Sequence, residues 1–154
     1  MNYSRLDALL GYHLRRAQLR AFAAFARHLD GTGLTPMLFG VLATIEARPG
    51  IGQGEVADAL GTDRSTMVRL MDQLEGRGLV LRAAHAGDRR TVIPTLTAAG
   101  HALLEHATPL VQASEDAFAA GLTGEERSAL AALLDRLEVA APHLAEGHTR
   151  RRTA

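Results

Sequence analysis

Gln53–Gly78 reads QGEVADALGTDRSTMVRLMDQLEGRG. Two helical runs flank Gly61 in this stretch. The first, about Gln53 to Leu60, turns Val56, Ala57 and Leu60 to one side. Gly61 suits the left-handed backbone of a tight exit turn. The second, about Asp63 to Arg77, repeats Met67, Leu70, Met71 and Leu74 at i, i+3, i+4 and i+7, so these face a core. Thr62 or Asp63 can cap its start, and Gly76 and Gly78 mark its end. Two helices around a glycine-containing turn make a helix-turn-helix pattern. The outer face of the second helix holds Thr62, Ser65, Thr66, Arg69 and Gln73, with no acidic residue. Arg64 sits at its N-terminal end beside Asp63, which fits a cap better than a reader of bases. Hydroxyls and helix N-terminal amides suit phosphate oxygens. Arg suits guanine edges and Gln suits adenine edges.

The flanking segments extend the pattern. Upstream, a long helix is expected from about Ser4 to Leu29, with Leu6, Leu10, His13, Leu14, Ala17, Ala21, Phe25 and Leu29 at helical spacing. Asp30-Gly31-Thr32-Gly33 ends it. Thr35 and Pro36 open the next helix as N-cap and first position, and Leu38, Val41, Leu42 and Ile45 form its buried stripe. Pro49-Gly50 stops it. Downstream the period changes. Leu79–Arg82 and Thr91–Ile93 favour strands around a turn at Ala86–Arg89, which predicts a β-hairpin. Pro94 donates no ladder bond, so it requires an edge, and a two-stranded wing has only edges. Two arginines at the tip, Arg89 and Arg90, suit a narrow minor groove, and Asp88 can brace Arg90. Thr97 can cap a helix from about Ala98 to Ala120. Thr123 and Glu126 form a capping box for a last helix carrying Leu130, Leu133, Leu134, Leu137 and Ala141, which Pro142 ends or weakens. The fold class is mainly α with a small β-hairpin wing.

Composition narrows the function. The chain has 154 residues and 47% hydrophobic ones, enough for a sizeable core. Its 17 basic residues, all Arg, balance 17 acidic ones. A nucleic-acid face must therefore come from segregating Arg to one side. Residues 35–97 hold seven Arg and seven acids. The absence of Cys excludes disulfides and thiolate chemistry. No apolar run approaches the ~20 residues of a membrane span, and the N-terminus lacks the pattern of a signal peptide. A soluble cytoplasmic protein is expected. The seven His form no compact ligand set, since His101 and His106 are five apart and His13, His28, His143 and His148 are scattered. Neither a metal nor a cofactor is expected. No nucleophile elbow, P-loop, zinc-protease or dinucleotide signature is present, so no enzyme is expected.

The ordered set resembles the MarR family. LTPMLFGVLATI (34–45) is similar to the helix before that family's DNA-reading unit. EVADALGTDRSTMVRLMDQLEGRGLV (55–80) resembles its helix-turn-helix. GDRRTVIPTLTAAG (87–100) resembles its wing, including the Asp-x-Arg pattern and the following Leu-Thr-x-x-Gly. The resemblance covers nearly the whole chain. It implies an N-terminal dimerisation helix at 1–33, a winged helix-turn-helix lobe at 34–97, C-terminal dimerisation helices at 98–144 and a flexible tail at 145–154. It implies Thr62, Arg64, Ser65, Thr66 and Arg69 as recognition-helix contacts, Asp88 with Arg90 as the wing pair, and Arg89 as a phosphate contact. Gln73 joins them from its place on the outer face. One departure is Ala83-Ala84-His85-Ala86, where the family often has a more polar, basic approach to the wing, a difference that bears on the salt dependence of binding and not on the fold.

Apolar stripes on the terminal helices call for mutual burial in a two-fold homodimer, as the resemblance also implies. A symmetric dimer expects a pseudo-palindromic operator in double-stranded DNA. The resemblance further implies repression relieved by a small, often aromatic or phenolic, effector, in a pocket involving Tyr12, His13, Arg16, Met37 and Phe39. The alternative is a winged-helix protein-interaction module without specific DNA binding. Such a module needs no acid-free polar face and would more naturally expose an apolar patch.

Overall fold

The computed structural model describes residues 5–84, Gly87 and 91–140, with side chains through residue 137. Its elements are α1 (Leu10–His28), α2 (Pro36–Ala47), α3 (Gln53–Ala59), α4 (Arg64–Gly76), β1 (Val80–Ala84), β2 (Val92–Leu96), α5 (Ala98–Phe118) and α6 (Gly124–Ala140). Of the described residues, those through Phe118 form one compact unit and those from Ala119 form another. Among the described residues, no helix is long and apolar enough to cross a membrane.

In the first unit, α2, α3 and α4 enclose one core. The stripe expected on α2 is wholly buried: Leu38, Val41, Leu42 and Ile45. Val56 and Ala57 of α3 join it, with Met67, Met71 and Leu74 of α4, Leu79 and Val80 at the start of the hairpin, and Leu104 and Ala107 of α5. Thr35 caps α2 by accepting the Leu38 amide at 3.2 Å, with Pro36 in the first turn. Gly61 has a φ of +59°, the left-handed conformation that the turn between α3 and α4 demands.

The long first helix is shorter than its periodicity suggests. It begins at Leu10, and residues 5–8 are turn. His13 Nε2 lies 2.8 Å from the Asp7 carbonyl, which a continuous helix would give to the Gly11 amide. Only Ala24, Phe25 and Leu29 at its C-terminal end are buried. Leu6, Leu10, Leu19 and Phe22 are exposed on this chain. The stripe thus runs past the end of its own core.

β1 and β2 pair antiparallel, with Val80 opposite Leu96, Arg82 opposite Pro94 and Ala84 opposite Val92. Both strands extend beyond the residues the sequence marks, since pairing carries β-structure through Ala83-Ala84 and Pro94–Leu96. Thr97 joins hairpin to α5. Its hydroxyl donates to the Gly78 carbonyl at 2.7 Å and accepts the Gly100 amide at 3.0 Å, while its own amide donates to Leu79 O at 3.0 Å. A Cβ on Gly100 would lie 2.1 Å from that same Leu79 oxygen. Glycine is therefore required where α5 crosses the end of the helix-turn-helix.

In the second unit, the expected capping box is present. The Thr123 amide donates to Glu126 Oε2 at 2.8 Å, and Thr123 Oγ1 accepts the Glu126 amide at 3.2 Å. Leu130, Leu133, Leu134 and Leu137 of α6 are all exposed on this chain.

Asp63 caps α4. Its carboxylate accepts the Thr66 amide and the Ser65 and Thr66 hydroxyls. These bonds, that of Ser65 foremost, hold its carboxyl far below the ordinary carboxylate range. A lowered folded-state value adds stability above the unfolded value of about 3.9, and the gain is lost as pH falls through and below it. Asp63→Asn keeps a competent cap without the titration. The gap in Tm between wild type and Asp63→Asn is therefore expected to close as pH falls from about 5 to about 2, in thermal melts across that range. At the hairpin–α5 junction, Gly100→Ala is expected to cost about 1–3 kcal/mol by overpacking. Gly76→Ala, with nothing within 4 Å of its new Cβ, should cost nothing or stabilise by up to about 1 kcal/mol. Denaturant unfolding of the two variants checks the contrast.

Candidate nucleic-acid interface

The burial of Met67, Met71 and Leu74 fixes which way α4 presents its other side. Arg64, Ser65, Arg69 and Gln73 are exposed along it, and Thr62 and Thr66 are half-buried at its N-terminal end. All six recognition-helix residues singled out in the sequence thus keep accessible surface, with Arg64 set on the flank of α4 beside Val68. They are not independent of one another. Arg69 Nη2 donates to Thr66 Oγ1 at 3.1 Å, and Thr66 donates on to Asp63 Oδ2 at 2.7 Å.

The outer face is not free of acids as the sequence reading has it, since Asp63 and Asp72 are both exposed, and a residue that reading did not single out partly offsets Asp72. Asp72 and Glu75 also lie on α4, beside Gln73. Arg82 of β1 reaches both: Nη2 is 2.7 Å from Asp72 Oδ1 and 2.5 Å from Glu75 Oε2, and Nε donates to Glu75 at 2.9 Å. Hydrogen bonding to Arg82 lowers the Glu75 carboxyl below its usual range, and the bond to Glu75 raises the guanidinium in turn. The single positive charge of Arg82 offsets one of the two negative charges that would repel phosphates, and the hairpin is tied to the recognition helix. No motif signals this, because the strand register alone brings residue 82 back beside residues 72 and 75. Arg77 makes a second tie at the C-terminal end of α4. Its guanidinium donates to the Gly33 and Thr32 carbonyls at 2.8 and 2.9 Å, joining the helix to the loop between α1 and α2.

The wing residues Asp88, Arg89 and Arg90 lie outside the described residues, as do His85 and Ala86. A cleft of about 510 Å³ opens between the start of α3, the flank of α4 and the start of β2, with Gln53, Glu55, Arg64, Val68 and Thr91 among its walls.

The residues expected around an effector divide into two places. On α1, the Arg16 guanidinium lies 5.7 Å from the centre of the Tyr12 ring, and Tyr12 stands edge-on to His13. Phe39 packs edge-on against Phe25, 6.5 Å between centroids, beside the core, while Met37 is exposed. None of these five lines the cleft beside α4.

Known proteins share this arrangement. The family model described as MarR family matches residues 34–92. A protein assigned to regulation of the hcr operon in Thauera aromatica is 40% identical over 129 residues, covering 83% of this chain and 78% of the relative. The solved structure of the transcriptional repressor CouR bound to a 23-mer DNA duplex superposes with a TM-score of 0.84 at 40% identity, over 89% of this chain and 97% of that one. CouR bound to p-coumaroyl-CoA superposes with a TM-score of 0.78 at 39% identity, over 90% and 96%. With its helix-turn-helix, its paired hairpin and α1 packed on α5, the chain belongs to the MarR family of winged helix-turn-helix transcription regulators.

Proposed function

We propose that the protein is a homodimeric repressor that binds a pseudo-palindromic operator and leaves it when an aromatic small molecule binds. The family is one of transcription regulators, not of enzymes. The observation that carries the reading is the outer face of α4: hydroxyls, Arg and Gln, with its neighbouring carboxylates Asp72 and Glu75 both paired to Arg82. In this reading Thr62, Arg64, Ser65, Thr66, Arg69 and Gln73 enter the major groove, and the wing places Arg90, braced by Asp88, in the adjacent minor groove with Arg89 on phosphate. The superposition on CouR with its duplex supports that docking. A cytoplasmic location is part of the same reading.

The dimer reading rests on apolar surface. Leu10, Leu19 and Phe22 of α1 and Leu130, Leu133, Leu134 and Leu137 of α6 are exposed on this chain, and mutual burial is the simplest cover. The domain roles follow: residues 1–33 and 98–144 dimerise and 34–97 read DNA, while the tail expected at 145–154 lies outside the described residues. The aromatic effector is supported by the CouR complex with p-coumaroyl-CoA, which makes that thioester and its free acid the first compounds to test. An effector releases DNA only by binding the DNA-incompetent form of the dimer more tightly than the DNA-competent one. The pocket reading stays with Tyr12, His13, Arg16, Met37 and Phe39.

Selection from a random duplex pool, then anisotropy titration at several salt concentrations, tests the reading. A recovered palindrome with affinity falling steeply in salt supports it, and no enrichment overturns it in favour of a protein-interaction module. On the selected operator, Arg69→Ala and Arg90→Ala are each expected to weaken binding by about 1–3 kcal/mol with melting unchanged. Unchanged affinity for either removes that residue from the interface. Leu133→Asp or Leu137→Asp should abolish dimer and operator binding together, because a charge would be buried unpaired. Sedimentation checks this, and a monomeric wild type that binds the palindrome would refute it.

A further inference from the structure

The polarity of the hydrogen bonds at the start of α4 reaches further, and rests on the operator reading above. Asp63 Oδ1 accepts the Ser65 hydroxyl at 2.5 Å and the Thr66 amide at 2.9 Å, and Oδ2 accepts the Thr66 hydroxyl at 2.7 Å. A hydroxyl has one proton to donate. Both protons of this pair are committed to Asp63, and an ionised carboxylate has none to return. Ser65 Oγ is left with lone pairs alone. Thr66 Oγ1 is left with one, since Arg69 occupies the other at 3.1 Å.

The exposed first turn of α4 is therefore an acceptor surface beside a donor-only guanidinium. Phosphate oxygens and the keto oxygens of guanine and thymine are themselves acceptors, so these hydroxyls have nothing to offer them. In the major groove the donors are the amino groups of cytosine N4 and adenine N6. We propose that Asp63 is a specificity-determining positioning residue: by holding both hydroxyl protons it makes Ser65 and Thr66 read an amino-bearing base, cytosine or adenine, next to a guanine read by Arg69. The hydroxyls that sequence chemistry suits to phosphate are thereby turned to base reading, and the phosphate contacts fall to other groups.

Asp63→Asn separates this role from capping. The Asn carbonyl still accepts the Thr66 amide, so the helix keeps its cap. Its amide now donates, so it can hold a hydroxyl oxygen and free that hydroxyl's proton to point outward. The full-length wild type, Asp63→Asn and the double variant Ser65→Ala/Thr66→Val are each taken through duplex selection. They are then titrated against the wild-type operator and its single-base variants. The wild type is expected to favour cytosine or adenine by roughly 3- to 10-fold at one position per half-site, beside a guanine. Asp63→Asn should lose or invert that preference toward guanine or thymine while the Arg69-dependent guanine preference persists. The double variant should accept all four bases there within about twofold. Should Asp63→Asn fail to fold, the double variant decides. The same preference in either variant as in wild type overturns the proposal and leaves Asp63 a cap. No enrichment by the wild type overturns the operator reading itself, and this inference with it.

Discussion

Met67, Met71 and Leu74 have almost no exposed surface, and everything the protein presents to a ligand along α4 follows from that. A helix of 13 residues gains little stability from its own backbone. It is held by burying one face against Leu38, Leu42, Val56 and the residues around them. Once three side chains are locked in a close-packed core, the rotation of the helix about its axis is fixed. Arg69 and Gln73 then have no choice of direction. The same core includes Leu79 and Val80, so the hairpin leaves the helix at a fixed point. Thr97 and Gly100 set α5 directly on the Leu79 carbonyl. Recognition helix, wing and connecting helix thus share one origin, and a shift in any of them is felt by the others.

Electrostatics refine what packing fixes. A chain of zero net charge must separate its charges to attract DNA. Here the separation is local and hydrogen-bonded. Arg82 takes up the two carboxylates of α4, and Asp63 is absorbed by its own helix terminus. Exposed pairs of this kind add little to stability. Their value lies in engaging those carboxylates while Arg64 and Arg69 stay exposed near the start of α4. The Arg77 bonds to the Thr32 and Gly33 carbonyls connect the far end of the same helix to the loop that leads from α1.

Much of the fold was legible because local chemistry and tertiary burial agree. Thr35-Pro36, Asp63 and Thr123 with Glu126 start helices where the sequence places them, since a cap needs only neighbours within one turn. Of the i, i+3, i+4, i+7 stripe of α4, Met67, Met71 and Leu74 are buried and Leu70 is partly buried, because the helix has core on one side only. α1 is the counter-example. Its stripe continues to Leu6, yet the helix starts at Leu10, because His13 takes up the Asp7 carbonyl and no core lies beneath the first turns. The outer face of α4 was legible as a set of residue types. Its hydrogen-bond polarity was not, because the spacing of Asp63, Ser65 and Thr66 does not say which partner each proton takes.

The sequence by itself determined the order of elements, the caps, the side of α4 that is apolar and the residue types on the other side. Each of these depends on interactions within about one helical turn or on a simple period. The tertiary structure alone decided that Arg82 meets Asp72 and Glu75, that Arg77 reaches the α1–α2 loop, and that Gly100 must lack a side chain. Those contacts join residues that are distant in the chain or lie on different elements. Their geometry is set by strand register and by how closely a helix can approach a carbonyl, and neither leaves a periodic mark in the sequence.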